Sequence, residues 1–350
     1  MWPYWVMLLI PAWGVLTTAR LPKSQASVVW FLVGALFAIL MGFRHEVGGD
    51  WETYAWHFEW VQTVTFDASL SDRGDPGYYG LSWLVAQVGG DIHLLNLICA
   101  ALLSWGTVVF ARRQPVPWLA LFAAVPYLLI VVGMGYTRQS AAIGCVMLGL
   151  VALGGGKQRK FVLWVLLAAT FHKTAVVVLP IAALSATHNR IWTFAWIGIM
   201  AVVGSWLFLY DTSDTLYKNY VVSDYRYQSQ GAGVRVAMDV VPAVVYLLFR
   251  KRMAGVEQER KLWMWLSILT LVCVPLLSVS PTAVDRMALY LIPIQLFVFG
   301  RLPLLAKTVG GRTQLVLAMM AYYIVVQFVW LNFAQTAFKW LPYQLYPLAG

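Results

Sequence analysis

Charge is what this chain of 350 residues has least of: Asp, Glu, Lys and Arg make up 11% of it, against 61% hydrophobic residues. Soluble domains carry roughly 25% charged residues, so the scarcity excludes a water-solvated globular fold. Cysteine is scarce too. Cys99, Cys145 and Cys273 stand singly in apolar stretches without histidine neighbours, which excludes a disulfide frame or a zinc site and leaves them as small core residues. There is no Asp-x-Asp pair for a metal-bound nucleotide sugar, no phosphate-cradling P-loop and no His-Glu-x-x-His helix. No metal site and no cofactor are expected, and the loops are too short for a nucleotide-binding domain. Met1 to Ala19 lacks the basic start and the small-residue cleavage site of a secretory signal, and is expected to stay as a membrane helix.

What is present is a series of apolar stretches along the whole chain. A hydrocarbon core of about 30 Å asks for roughly 20 apolar residues per helix. The stretches 2–19, 26–43, 92–111, 116–135, 139–153, 191–209, 236–249, 262–279, 287–300 and 313–332 meet or approach that need. The expected fold is therefore all-α: one polytopic transmembrane domain over 1–350, with about ten to twelve membrane helices including short re-entrant or hairpin ones. Membrane lipid is its constant partner. The net charge of +10 does not point to nucleic acid, because the bases lie in short clusters between apolar stretches.

Those clusters set an orientation, since loops that stay in the cytoplasm retain Lys and Arg. One assignment puts Arg20 with Lys23, Arg112 with Arg113, Lys157 with Arg159 and Lys160, Arg190, the Arg250 to Lys261 run, and Arg301 with Lys307 and Arg312 inside. That is 16 of the 25 bases, with only Glu257 and Glu259 of the 15 acids. Both chain ends then lie outside, where Trp2, Tyr4 and Trp5, and Trp340, Tyr343 and Tyr346, suit an interfacial aromatic belt.

Two outer segments are large, 44–91 and 211–235. Within the first, Asp75 and Pro76 read as cap and opening residue of a helix ending near Val88, before Gly89 and Gly90. It is too short to cross. Phe161 to Ser185 carries His172 and Lys173 at its middle, and is expected to be a hairpin of two short helices with that pair at an apex lining a cavity.

The outer charges that the orientation rule does not explain are the candidates for chemistry. Arg44, Arg138 and Arg286 are expected at one depth, with Arg226 and Arg235 in the second loop. Guanidinium forks bind phosphate bidentately and stay charged in partly dry surroundings, so their convergence suits a lipid-linked pyrophosphate. Arg44, His45, Glu46, Val47, Gly48, Gly49, Asp50 and Trp51 crowd a base, a histidine and two carboxylates around a Gly-Gly turn. Asp50 is the first candidate for a proton acceptor, with Glu46 and His172 as rivals. Lys173 could neutralise a phosphate beside His172. Asp285, Arg286 and Tyr290 form a third polar focus, the last two one helical turn apart.

The stretches FRHEVGGDWETY (43–54), GYTRQSAAIG (135–144), TFHKTAVVVLP (170–180) and DRMALYLIP (285–293), in this order and spacing, resemble the EpsG family, grouped with Wzy-type polymerases of bacterial exopolysaccharide and O-antigen. Arg44, Val47, Gly48, Asp50 and Tyr54 match its first motif, Arg138 and Gln139 its second, Phe171 and His172 its third; Gly49 stands where Thr is frequent. The resemblance implies a membrane glycosyltransferase of C-type architecture in the bacterial inner membrane, with its active site facing the periplasm. It would join oligosaccharide repeat units carried on undecaprenyl pyrophosphate, inverting the anomeric centre. Asp285, Tyr290, Trp51 and Tyr54 would help hold the substrate, and a chain-length regulator would be the protein partner. A flippase for the same lipid-linked units and an O-antigen-ligase-like transferase are the alternatives.

Overall fold

A bilayer offers no water to backbone N–H and C=O groups, so apolar segments of this length satisfy them as helices. The computed structural model is accordingly a helix bundle. It describes residues 1–17, 22–71, 75–187, 190–209, 229 and 231–348. The chain order is α1 (Trp2–Leu16), α2 (Lys23–Gly42), β1 (Arg44–His45), α3 (Trp51–Gln62), α4 (Phe66–Ser71), α5 (Pro76–Gln87), α6 (Ile92–Arg112) and α7 (Pro117–Gly135). Then come α8 (Thr137–Gly154), α9 (Gln158–Phe171), α10 (Pro180–Leu184), α11 (Arg190–Leu209), α12 (Ala232–Met253), α13 (Glu257–Leu276), α14 (Pro281–Ala288), α15 (Pro293–Phe299), α16 (Val309–Phe333) and β2 (Gln344–Leu345). The two strands pair antiparallel, Arg44 opposite Leu345 and His45 opposite Gln344.

Among the described residues seven helices are long and apolar enough to cross a membrane: α2, α6, α7, α8, α11, α12 and α16. The α14–α15 pair passes the same test only when its two halves are taken together, and it is bent by 51° at its break, the geometry of a broken span or a re-entrant loop. The remaining expected spans are helical but depart from a simple crossing. α1 has only 15 residues and contains Pro11. α13 starts earlier than its apolar stretch, so its first turns carry Glu257, Glu259, Arg260 and Lys261. The expected span 287–300 is broken because Pro293 has no N–H to continue the preceding ladder. The outward faces are apolar where they would meet lipid, as Ile191, Trp192, Val202 and Trp206 of α11 show.

α7 is the centre, buried along almost all its length. From Val125 to Val132 it widens into a π-helical stretch containing Pro126, and the carbonyl of Ile130 accepts the indole N–H of Trp340 at 3.2 Å. Around it α2, α6, α8 and α9 pack successively, while α15 packs on α7 and α12. The α6–α8 contact is backbone on backbone. A Cβ built on Gly106 would lie 2.2 Å from the carbonyl oxygen of Gly144, and one on Gly144 would lie 2.3 Å from that of Leu102.

Among the described residues the bundle keeps most of its charges at two ends, Asp239 within α12 being an exception. At one, Arg301 is paired with Glu259 at 2.9 Å and with Gln114, and lies over the Phe297 ring; Arg252 donates to Leu305 O at 2.7 Å, and Arg112 to Ser27 Oγ at 3.2 Å. At the other, the 44–50 turn, the start of α8, the break at His172 and the C-terminal segment meet. α5 ends as its sequence suggests, with Gly89 at φ +73°. The 161–185 stretch breaks at His172, and the 3-10 turn Lys173–Val178 packs back on α9. The expected aromatic belt at the chain ends is corrected in part: Tyr4 and Trp340 are buried, joined by a 2.6 Å bond from Tyr4 Oη to Trp340 O. Tyr343 Oη donates to Leu40 O at 2.7 Å. These aromatics tie the ends of the chain to the bundle rather than to the lipid surface.

Replacing Gly144 by Leu should force α6 and α8 apart. Overpacking of this kind costs about 1–3 kcal/mol, occasionally more, and thermal unfolding in detergent should show a lower Tm; an unchanged Tm would mean the two helices are not in backbone contact.

Candidate active site

The charged end is assembled around the turn between α2 and α3. Gly48 has φ +113°, and a Cβ there would lie 2.2 Å from Met134 O, so only glycine lets the turn press against the end of α7. Its N–H donates to Lys339 O at 2.8 Å, fastening the turn to the C-terminal segment. Gly49 is different: a Cβ there would meet only Trp340, at an ordinary 3.6 Å. This turn delivers Asp50 to the N-cap position of α3, where its carboxylate makes no capping bond.

A cavity of about 170 Å³ opens beside it, lined by Asp50, Tyr54, Tyr136, Arg138, Gln139, His172 and Arg286. Six of these seven were legible in the sequence as candidates; Tyr136 was not. At roughly 30 Å³ per water the space would hold several waters, or a compact anion. The Asp50 carboxylate has no hydrogen-bond or ion-pair partner among the described residues. Burial pushes its carboxyl up from the ordinary range, and Arg286, Arg138 and Lys339 pull against that rise without cancelling it. A carboxylate so placed is a competent proton acceptor.

Arg138 is held on two sides. Its Nη1 donates to Asp75 Oδ2 at 2.8 Å, and its Cζ lies 5.8, 5.9 and 6.0 Å over the rings of Tyr54, Tyr78 and Tyr79. Its Nε is buried without a partner, the kind of unmet donor that an anionic ligand would satisfy. Asp75 is corrected in role. As a helix cap it would bond its own first turn, but the side chain makes no such bond. It accepts from Arg138 and, at Oδ1, from Lys173 N at 3.0 Å. Nothing marked it in the sequence beyond the Asp-Pro pair, which has a sufficient local explanation.

Arg286 stacks over Tyr136, Cζ 4.8 Å from the ring centroid, and its backbone carbonyl accepts from Gln139 Nε2 at 2.7 Å. His172 Nδ1 lies 2.7 Å from Thr174 Oγ1 and 3.1 Å from Tyr290 Oη, so Tyr290 positions the histidine without lining the cavity. Lys173 contributes its backbone N–H to Asp75 rather than a charge on the cavity wall.

Other candidates are placed elsewhere. Arg44 is fully buried and faces away: it donates to Met41 O at 2.6 Å, Val47 O at 3.0 Å and Thr137 Oγ1 at 2.7 Å. It clamps the end of α2 to the turn and to α8 through all three guanidinium nitrogens, and it does not line the cavity. Glu46 is mostly solvent-exposed, nearest His45 at 4.0 Å. Trp51 stands edge-on to His45 and outside the cavity. Arg235 opens α12 instead of lying in a loop, and grips Asp285 with two bonds of 2.5 and 2.6 Å, so these two largely neutralise each other. Arg226 lies outside the described residues.

A second, larger cavity of about 1080 Å³ adjoins the first, and Asp50 and Tyr136 line both. Its walls are α12 and α16 and its floor is the π-helical part of α7; Ser229, Arg235 and Lys339 stand at its polar end.

The profile of the EpsG family matches residues 27–345, and the chain belongs to that family, which is one of Wzy-type polymerases. No curated protein and no solved structure matches the chain.

Two substitutions separate clamp from chemistry. Arg44→Ala leaves buried carbonyls without donors, at a cost of about 1–3 kcal/mol, and should lower Tm. Asp50→Asn removes a desolvated charge without a partner and should leave Tm unchanged or raise it. Equal losses of Tm would sink the distinction.

Proposed function

We propose that this member of the EpsG family polymerises oligosaccharide repeat units carried on undecaprenyl pyrophosphate, at the periplasmic face of a bacterial inner membrane. One observation carries the reading: an unpartnered carboxylate, Asp50, faces Arg138 and Arg286 across a polar cavity that opens onto a long apolar groove. A polysaccharide polymerase needs a base for a sugar hydroxyl and a cationic cradle for a leaving pyrophosphate, and this cavity offers both. The orientation rests on the separation of the ends. Arg112, Lys157, Arg159, Arg250 and Arg301 belong to the end away from the cavity, which the charge rule assigns to the cytoplasm.

In the reaction, the acceptor hydroxyl of one lipid-linked unit gives its proton to Asp50. Its oxygen attacks the anomeric carbon of the other unit from the side opposite the pyrophosphate. The new C–O bond forms as the bond to the phosphate oxygen breaks, so the configuration inverts and the lipid pyrophosphate departs with the electron pair. Arg138, through its free Nε, and Arg286 stabilise the charge that develops on the leaving oxygen. His172, its Nδ1 occupied by Thr174 and Tyr290, presents its other nitrogen to the substrate. Of the three rival bases Asp50 is preferred: Glu46 lines neither cavity, and the Asp50 carboxylate, unlike the His172 ring, has no protein partner among the described residues. No step draws on a nucleotide.

Purified protein given a synthetic lipid-pyrophosphate repeat unit should make a ladder of longer glycans. Transfer to an unrelated acceptor alone would instead indicate a ligase, and movement across vesicles without new bonds a flippase. Asp50→Asn should lose about 10²–10⁴ in rate, the worth of a positioned base, and full retention would reassign the base. The proton acceptor must be ionised, so kcat/KM should fall as pH drops through the Asp50 pKa. Because burial raises that pKa, the acid limb should lie above the ordinary aspartate value of about 3.9. A limb at or below that value would show that another group is titrating.

A further inference from the structure

The groove beside the cavity has the dimensions of one membrane leaflet. α12 presents Val234, Met238 and Val241 to it, and α16 presents Val325, Val329 and Phe333, each set recurring at helical spacing. From Gly231 to Val241 an α-helix rises about 15 Å, half of a hydrocarbon core of about 30 Å. Val234, Val241, Val325 and Phe333 are 70, 55, 56 and 70% exposed, so the groove is open along its side to lipid. Its polar groups gather at one end, where Lys339 Nζ donates to Gly49 O at 3.3 Å and Arg235 stands beside Ser229. At the inner end Tyr323 Oη donates to Gln295 Oε1 at 2.8 Å, and Gln295 Nε2 to Asp239 Oδ1 at 2.7 Å, bridging α16, α15 and α12. The space is thus a slot for a hydrocarbon chain with an anionic head at its outer end.

From this shape we infer that the groove holds the polyprenyl tail of the glycosyl donor, the molecule whose anomeric carbon reacts, and not that of the acceptor. The inference rests on the polymerase reading above. It follows from covalent order. In the donor, the reacting carbon is bonded to the pyrophosphate and the pyrophosphate to the tail, so the tail must begin beside the reacting carbon. In the acceptor, an entire oligosaccharide separates the reacting hydroxyl from its lipid. A groove that meets the Asp50 cavity directly, through Asp50 and Tyr136, suits only the first. Polyprenyl pyrophosphate, the product left after transfer, occupies the same groove and competes with the next donor.

The test uses the full-length protein in nanodiscs, with donor and acceptor units whose tails are varied separately. Removing several isoprene units from the donor strips its tail of contacts with α12 and α16 and should raise its KM severalfold; the tail leaves lipid as apolar as the groove, so what is lost is packing rather than burial from water. The same truncation of the acceptor should change its KM far less. Val241→Trp and Val325→Trp fill the groove from lipid-exposed positions and should also raise the donor KM, while Val202→Trp on the exposed face of α11 should leave it unchanged. A wild-type enzyme that makes polymer but depends on the acceptor tail instead would overturn the inference and spare the polymerase reading.

Occupancy is read independently of activity by photo-crosslinking a polyprenyl pyrophosphate with a photoreactive group near the middle of its tail. Labelled peptides should map to α12 and α16, unlabelled polyprenyl pyrophosphate should compete, and Val241→Trp with Val325→Trp should abolish the label. Equal competition by phosphatidylglycerol would mean that ordinary membrane lipid fills the groove, and the inference would fall. Labelling without polymer formation would reject the polymerase reading while keeping the groove as a lipid-pyrophosphate site.

Discussion

The ion pair between Asp75 and Arg138 holds the charged end of this protein together. It joins the start of α5 to the start of α8, and the second carboxylate oxygen of Asp75 takes the Lys173 N–H from the apex of the hairpin. Three segments far apart in sequence therefore meet at one side chain. Breaking such a buried pair typically costs about 3–5 kcal/mol, because the remaining charge is stranded away from water. That constraint makes the cavity a consequence of the fold: once Arg138 is anchored by one nitrogen, its Nε and the tyrosine faces around it define the wall opposite Asp50.

Asp75, Asp285 and Asp50, carboxylates at this end, have three fates, each set by surroundings. Asp75 is tied to a guanidinium and a backbone N–H, Asp285 is gripped by Arg235, and Asp50 is left unpartnered. Only the third keeps its lone pairs for a substrate. A fourth acid, Asp239, serves the structure below the groove through Gln295. The same distinction runs through the arginines. Each nitrogen of the Arg44 guanidinium is bonded to a carbonyl or a hydroxyl, whereas the Nε of Arg138 has no partner among the described residues. Position along the chain gave these residues similar promise; hydrogen-bond inventory separates them.

The C-terminal segment completes the site. It returns from α16 to pair with β1, donates Tyr346 N to Phe43 O at 2.8 Å, and accepts the Gly48 N–H, so the 44–50 turn is held from the far end of the chain. Trp340 beneath Gly49 and Gly135, and Tyr346 stacked 4.0 Å from His93, fill the space between. A loop of glycines and carboxylates would otherwise be free to move at the membrane surface; anchored at both ends, it can hold Asp50 in one place.

Sequence by itself determined the solvent, the helical class and the end at which the candidate residues gather. Those follow from sums over many residues, of apolar length and of Lys and Arg, and such sums survive errors at single positions. It also marked Asp50, Arg138, His172 and Arg286, because charged or titratable groups at a lipid boundary need a reason, and Gln139 through the motif in which the chain resembles the EpsG family. What it could not contain was which of those charges would be consumed internally. Arg44 as a clamp on α8, Asp75 as an anchor in place of a cap, Tyr136 as the shared wall of cavity and groove, and Lys339 at the groove's mouth each depend on at least one partner 63 to 290 positions away. A hydrogen bond is decided within a few tenths of an ångström and by direction, and only the packed tertiary structure sets distances on that scale.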